Sequence, residues 1–126
     1  MTKEYAVRQA ALAERLYLMT MQKKISWKKD DTFGTVEARL GDYFVVLNDT
    51  QDEDGNQWEI VEIRDQYGHT VDSFSDGTVS EQQMKSVEGF DSFYAMMKTL
   101  RETAERQTRN VDGAMDSILS ALDDLD

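Results

Sequence analysis

Hydrophobic residues recur at helical spacing through the first 24 residues of the chain, which contain no glycine or proline. Tyr5, Leu12, Leu16 and Met19 fall on one face if the chain follows a period of about 3.6 residues. Alanine, valine and leucine residues extend that face on both sides. The pattern predicts a helix over residues 1–24 that is deeply packed or contacts two structures.

Between residues 25 and 75, apolar and polar residues alternate with the two-residue period of half-buried β-strands, starting with Ile25 and Trp27. The turns between these runs are short. One of them is Gly41–Asp42, where glycine supplies the positive φ of a tight hairpin. Short turns favour an antiparallel sheet. The run from Tyr43 to Asn48 is apolar on both faces, which is typical of a central strand or of one beneath an interface.

Residues 80–125 are predicted to be helical. Ser80 and Gln83 have the spacing of a capping box, and Asp91 is a candidate N-cap for the main helix. From there a seam follows the heptad spacing of four and three residues: Phe93, Met97, Leu100, Ala104, Gln107, Val111, Ala114, Ile118, Ala121 and Leu125. Asn110 and Gly113 are poor helix-interior residues, so either one long helix continues or two helices break near residues 110–113, and the break is favoured.

These patterns predict a single α+β domain over residues 1–126. It contains a four- to five-stranded antiparallel meander sheet, packed with an N-terminal helix and one or two C-terminal helices. A chain of 126 residues fits one domain and can bury a core without covalent staples. The predicted core consists of Leu12, Leu16, Val36, Leu40, Val45, Ile60, Ile63, Phe93, Met97 and Leu100.

The composition excludes several kinds of site. The chain has no cysteine, which rules out disulfides, thiolate zinc sites and cysteine nucleophiles. A single histidine rules out metal sites built from several histidines. No apolar run is long enough for a membrane span, and the first residues lack a signal-peptide pattern, so the expected location is the cytoplasm.

Two remaining clusters suggest chemistry but have simpler explanations. An acidic stretch ends at Gly55 like a calcium loop, yet Thr50 and Val61 occupy the first and twelfth ligand positions. His69 lies between acidic residues, but neighbours on one hairpin rarely place a base, an acid and a nucleophile in line. We therefore expect a hairpin turn at each place, with no catalytic residue, no cofactor and no metal site.

Charge is distributed unevenly along the chain. The net charge is −11; residues 1–29 carry +5 and residues 30–126 carry −16. Four lysines lie close to Trp27 in the sequence: Lys23, Lys24, Lys28 and Lys29. Such a cluster could mark a nucleic-acid site, but a core tryptophan beside solvated lysines explains it more simply. An acidic protein repels nucleic acid, so direct binding is not expected. The charge fits a basic partner, or imitation of a polyanion.

The apolar pattern exceeds what so small a fold needs for its own core, since the central strand is apolar on both faces and the C-terminal seam is long. We therefore expect a non-enzymatic protein that binds another protein, as adaptor or inhibitor, and that self-associates as a homodimer. Folding of the C-terminal segment back onto its own domain is the simpler alternative. The expected partner-binding residues are Val111, Met115, Ile118, Leu122, Asp112 and Asp116.

A different class of function stays open. The protein could be a phage-type nucleic-acid mimic, of the anti-restriction or anti-CRISPR kind, that inhibits a DNA- or RNA-binding protein of the host. Such an inhibitor presents rows of carboxylates where its target expects phosphates. Small size, acidity and the lack of cysteine fit this hypothesis, but many other proteins share them.

Overall fold

The computed structural model describes residues 3–30 and 32–126. In chain order its elements are α1 (Lys3–Met21), β1 (Lys28–Asp30), β2 (Thr35–Leu40), β3 (Tyr43–Gln51), β4 (Gln57–Arg64), β5 (Thr70–Ser75), α2 (Asp76–Val79), α3 (Phe93–Thr108) and α4 (Val111–Asp123). The predicted α+β fold is confirmed. Residues 1 and 2 of the predicted first helix lie outside the described residues, and α1 ends before residue 24.

The five strands form one antiparallel sheet in the order β1-β2-β3-β4-β5, so each strand pairs with its neighbour in sequence. The register aligns Val36, Leu47, Val61 and Phe74 across four strands, and all four are buried. Because side chains alternate between faces, this row defines one apolar face of the sheet. It belongs to the same hydrophobic core as the buried residues of α1 and α3.

Most of the predicted core is confirmed. Leu16, Val36, Val45, Phe93, Met97 and Leu100 are buried, and Leu12, Ile60 and Ile63 are half-buried. The prediction was wrong for Leu40, which is 38% exposed. Leu40 is the last residue of β2 and pairs with Tyr43, itself exposed, at the end of the β2–β3 hairpin. The alternation of apolar and polar residues correctly identified the strand. It could not show that the last cross-strand pair, Leu40 and Tyr43, is exposed to solvent.

The first strand begins later than predicted. Ile25 and Trp27 are buried as the alternation predicts, but the ladder with β2 starts only at Lys28. Trp27 is held by its indole Nε1, which donates to Thr20 Oγ1 at 3.0 Å. Burial of residues 25–27 thus comes from side-chain packing rather than from strand pairing.

The predicted helix opening at Ser80 is wrong. The short helix α2 ends at Val79, and residues 80–92 contain turns, bends and irregular backbone, with no helix. Their backbone is held by a buried carboxylate on α1, because Glu14 Oε1 accepts from the amides of Lys85, Ser86 and Val87 at 2.8, 2.8 and 3.1 Å. Those three amides are therefore paired without helix formation, and the segment is fixed against α1.

A buried ion pair joins α3 to the sheet. The side chain of Glu59 in β4 is almost fully buried, and it accepts from Arg101 Nε at 2.6 Å and from Nη2 at 3.2 Å. Arg101 also donates to Glu105 at 2.8 Å on its own helix. These contacts with carboxylates, Glu59 first among them, raise the pKa of the Arg101 guanidinium. The pair fixes the position of α3 across the sheet.

Candidate protein-interaction surface

The C-terminal seam divides into two helices with different surroundings. Arg109 caps α3, and Asn110 adopts the left-handed conformation, with φ 52° and ψ 45°, before α4 begins. A Cβ built on Gly113 would lie 2.5 Å from the Asn110 side chain, so glycine at this position leaves room for the amide over the first turn of α4. Both residues that argued against one continuous helix therefore belong to this junction.

The two halves of the seam differ in burial. In α3, Phe93, Met97, Leu100 and Ala104 are all buried in the core. Gln107, the polar seam residue, donates from Nε2 to the Thr20 carbonyl at 3.1 Å and so joins the end of α3 to the end of α1. In α4 no residue is buried. The hydrophobic core therefore ends with α3.

Helix α4 brings the predicted partner-binding residues together on an open surface. Met115, Ile118 and Leu122 fall on one stripe with Val111, because these positions repeat at helical spacing. Val111 is half-buried at the junction, whereas Met115, Ile118 and Leu122 are each 53–60% exposed. We call Val111, Met115, Ile118, Leu119, Leu122 and Leu125 the α4 apolar face.

Two members of this face were not among the predicted partner-binding residues. Leu119 is 58% exposed and Leu125, beyond the end of the helix, is 82% exposed. Leu119 falls between the heptad positions, so a strict seam omits it. At about 100° per residue, however, it lies beside Met115 and Leu122. A helical projection of residues 111–125, without the heptad rule, would have included it.

The predicted acidic residues lie along one edge of the α4 apolar face. Asp112 and Asp116 are both exposed. An oxygen of Asp112 is 3.9 Å from Arg106 Nη2, which links the first turn of α4 weakly to α3. Residues 111–126 contain five aspartates and no lysine or arginine. Helix α4 is therefore amphipathic and uniformly negative.

The acidic loop between β3 and β4 is closed by its own carboxylate. Asp52 accepts from the backbone amides of Asp54 and Asn56, both at 2.9 Å, and from the Asn56 side chain at 3.2 Å. These hydrogen bonds, the Asn56 amide foremost, lower the pKa of Asp52. Strand β3 reaches Gln51, so the loop is shorter than its acidic sequence suggests. Among the described residues no cluster of acids or histidine could hold a metal ion; metal independence stays a prediction.

His69 lies in an analogous turn between β4 and β5. Asp65 accepts from the backbone amides of Tyr67 and His69, both at 2.9 Å, and hydrogen bonding from His69 is the main cause of its lowered pKa. The imidazole Nδ1 lies 3.5 Å from the same carboxylate and is largely exposed. The contacts of Asp65 are those of a turn-closing residue, as at Asp52.

The lysines around Trp27 do not flank a stacking platform. Trp27 is 6% exposed and its N–H is used internally, so the ring cannot receive a base. Lys23, Lys24 and Lys29 are exposed near the end of α3. Lys23 and Lys24 border a hollow with Gln107, and Lys29 borders another with Arg109. These three lysines lie around the end of α3 together with Arg106 and Arg109, and Glu105 also lines the hollow of Lys29. We call the five cations the basic corner.

The second face of the sheet is less apolar than the sequence suggests. Val46 is 1% exposed, and its partners across the ladder are Glu37 and Glu62. Arg64 donates to both oxygens of Glu62 at 3.0 and 3.1 Å and lowers the pKa of that carboxyl. Charged side chains thus lie beside the apolar centre of this face. The α4 apolar face is the more exposed of the two surfaces predicted for self-association.

Comparisons with protein-family models, with curated proteins and with solved structures found no match. None of the helices in residues 3–30 and 32–126 combines the length and apolar character needed to cross a membrane.

Proposed function

We propose that this protein is non-enzymatic and acts by binding another protein, with α4 as its docking element. The observation that carries the proposal is the α4 apolar face, whose side chains other than the half-buried Val111 are more than half exposed, on a helix without a buried residue. Contiguous exposed apolar surface on a small protein marks interaction sites. Recognition by an amphipathic helix in a groove uses this spacing of anchors.

The low stability expected of α4 on its own also supports a role in docking. A helix of 13 residues is marginal in water without tertiary packing, and Gly113 lowers its propensity further. Fully burying a leucine, isoleucine or methionine side chain contributes about 1.5–3 kcal/mol. Covering the four α4 side chains that are 53–60% exposed, Met115, Ile118, Leu119 and Leu122, would thus contribute roughly 3–6 kcal/mol toward association. Polar and ionic contacts along the edge would have to supply the rest.

Charge specifies the kind of surface that α4 fits. Asp112 and Asp116 lie beside the apolar stripe, and no cation occurs in residues 111–126. A groove with lysine or arginine on its rim would complement this helix and would speed association at low salt. We place this interaction in the cytoplasm, which is compatible with the lack of cysteine.

Mimicry of nucleic acid is the less favoured hypothesis, because several carboxylates are buried or hydrogen-bonded within the fold. Glu14 and Glu59 are buried, and Asp76 accepts from the Glu59 amide at 2.7 Å. Asp52 and Asp65 close turns. These acids are not free to imitate a row of phosphates. The mimic hypothesis requires binding through exposed aspartates rather than through the α4 apolar face, so the two hypotheses differ in which variants abolish binding.

A matched pair of aspartate substitutions tests the proposed function. Ile118→Asp places a charge in the α4 apolar face, whereas Ser120→Asp adds the same charge on the opposite side of the helix. Partners are captured from lysate of the source cells, purified, and titrated with each variant. We expect Ile118→Asp to weaken binding at least about 30-fold, since it puts a charge into an apolar contact, and Ser120→Asp to change it less than about threefold.

Two outcomes would contradict the proposal. If both variants bind every partner as the unaltered chain does, α4 is not the docking element. If binding survives Ile118→Asp but is lost when Asp112 and Asp116 are both replaced by asparagine, and the partner is a DNA- or RNA-binding protein, the mimic hypothesis replaces it.

A further inference from the structure

We propose that the partner of the α4 apolar face is a second copy of this chain, whose α4 lies antiparallel to the first. The proposal rests on the proposed function, since it names the occupant of the same surface. It follows from the spacing of the apolar residues, from the size of the flanking residues and from the separation of charge between α4 and the basic corner.

The apolar residues of α4 match one another when one helix is reversed. Val111, Met115, Ile118, Leu122 and Leu125 are spaced by four, three, four and three residues. Reversal about Ile118 sets Val111 opposite Leu125 and brings Met115 within one residue, about 1.5 Å along the axis, of Leu122, so apolar side chains meet along about 21 Å of helix. A parallel pair would match them as well, and the flanks and the charges decide between the two directions.

The residues beside this apolar row let the two α4 helices approach each other closely. On one side the positions next to this row of five apolar residues are Ala114 and Ala121, which come within one residue of each other across the antiparallel pair. Small side chains there let the two helices come close together, and they bring no like charges into contact. On the other side Leu119 adds apolar area near the two-fold axis, where it would lie beside Ile118 of the second copy.

Charge selects the antiparallel direction. Asp123, Asp124 and Asp126 lie at the C-terminal end of α4, while the basic corner lies around the end of α3, where Arg106 Nη2 is 3.9 Å from Asp112 in the first turn of α4. In an antiparallel pair the acidic end of each α4 reaches the basic corner of the other copy. Asp124 falls opposite Asp112 there, and Arg106, 3.9 Å from Asp112, provides the positive charge beside them. In a parallel pair the two acidic ends would lie side by side, as would the two basic corners. Complementary ends fix the orientation because juxtaposed like charges cost several kcal/mol.

An apolar hollow elsewhere on the molecule would accommodate α4 less well than a second α4 does. It lies between α1 and β5, has a volume of about 350 Å³, and is lined mainly by Tyr5, Leu12, Val71 and Phe74. Gln9 also lines it; its Nε2 donates to Asp72 at 3.2 Å, while its buried Oε1 has no partner. Docked α4 would offer no N–H or O–H from its apolar face to that oxygen. Pairing of α4 with α4 has no such cost.

Cysteine cross-linking tests the direction of pairing, and the natural chain has no cysteine to interfere. Three single variants are made: Ile118→Cys, Val111→Cys and Leu125→Cys. We expect Ile118→Cys to form a disulfide-linked dimer on mild oxidation. Val111→Cys and Leu125→Cys should each stay uncross-linked alone but form the mixed dimer when combined, because a disulfide requires Cα atoms about 4.4–6.8 Å apart.

Sedimentation velocity of the unaltered chain, Ile118→Asp and Ser120→Asp gives the oligomeric state. We expect a dimer at micromolar concentration whose dissociation constant rises at least about 100-fold with Ile118→Asp, because the charge enters the interface twice, and less than about threefold with Ser120→Asp. Higher salt should weaken the dimer by screening the contacts between the acidic ends and the basic corners.

The possible failures can be told apart. If the chain stays monomeric at 100 μM and forms no mixed cross-link, the occupant of the α4 apolar face is not a second copy. The capture experiment would still test whether α4 docks on another protein. Cross-linking of Val111→Cys with itself overturns the antiparallel direction. A dimer that Ile118→Asp leaves intact places self-association elsewhere on the molecule and overturns the inference.

Discussion

Replacing Val45 with aspartate is expected to lower the free energy of unfolding by about 4 kcal/mol or more, because it places an unpaired charge in the core. Val45 is 4% exposed in the central strand, where its ladder partners are Ala38 and Ile63. None of these side chains can hydrogen-bond a carboxylate. A loss of this size is a large part of the 5–15 kcal/mol typical of a folded protein.

Denaturant titration followed by far-ultraviolet circular dichroism measures this effect, with Val71→Asp as the control. Val71 lies in β5 and is 57% exposed, so the same substitution should change the free energy of unfolding by less than about 0.5 kcal/mol. An unfolded Val45→Asp protein beside a folded Val71→Asp protein would agree with the expectation. A Val45→Asp variant as stable as the control would show that this strand is not central to the core.

Replacing Arg101 with methionine is expected to cost about 3–5 kcal/mol, because it leaves the buried Glu59 carboxyl without its cation and hydrogen-bond donor. Both Glu59 oxygens accept from Arg101. Removing both partners should be milder, since the double variant Glu59→Leu with Arg101→Met leaves no buried charge. We therefore expect the double variant to be more stable than Arg101→Met alone.

Chemical denaturation of the two single variants and the double variant forms a thermodynamic cycle for this pair. Arg106→Met serves as control, since Arg106 lies on the same helix, is largely exposed and has only a 3.9 Å contact with Asp112. Its effect should stay within about 0.5 kcal/mol. A double variant at least as unstable as Arg101→Met would mean that the pair does more than satisfy the Glu59 charge.

Local sequence patterns predicted the elements whose burial repeats with a regular period. Alternation identified the sheet and its central strand, and the heptad seam identified α3. The seam was also too long for the sheet to cover, which correctly separated Phe93–Ala104 from the exposed second half. Asn110 and Gly113 signalled the junction because neither suits a helix interior.

The errors arose where distant residues decide the local structure. Ser80 and Gln83 match a capping box, but Glu14, more than 70 residues away, takes the amides of Lys85, Ser86 and Val87. No local pattern contains that contact. The Ser75 amide instead donates to Thr78 Oγ1 at 3.2 Å, at the start of α2. Charge patterning likewise could not reveal the Glu59–Arg101 pair, since its members lie 42 residues apart.

We propose that α4 is not needed for the fold and serves to bind a partner. The most direct measurement compares the melting temperature of the full chain with that of residues 1–110 over a range of protein concentrations. In dilute solution the two should melt within about 2 °C, since no residue of α4 is part of the buried core. At higher concentration only the full chain should gain stability, as self-association through α4 requires. A truncated chain that melts many degrees lower even at the lowest concentration would show that α4 belongs to the core and is needed for the fold, against this proposal.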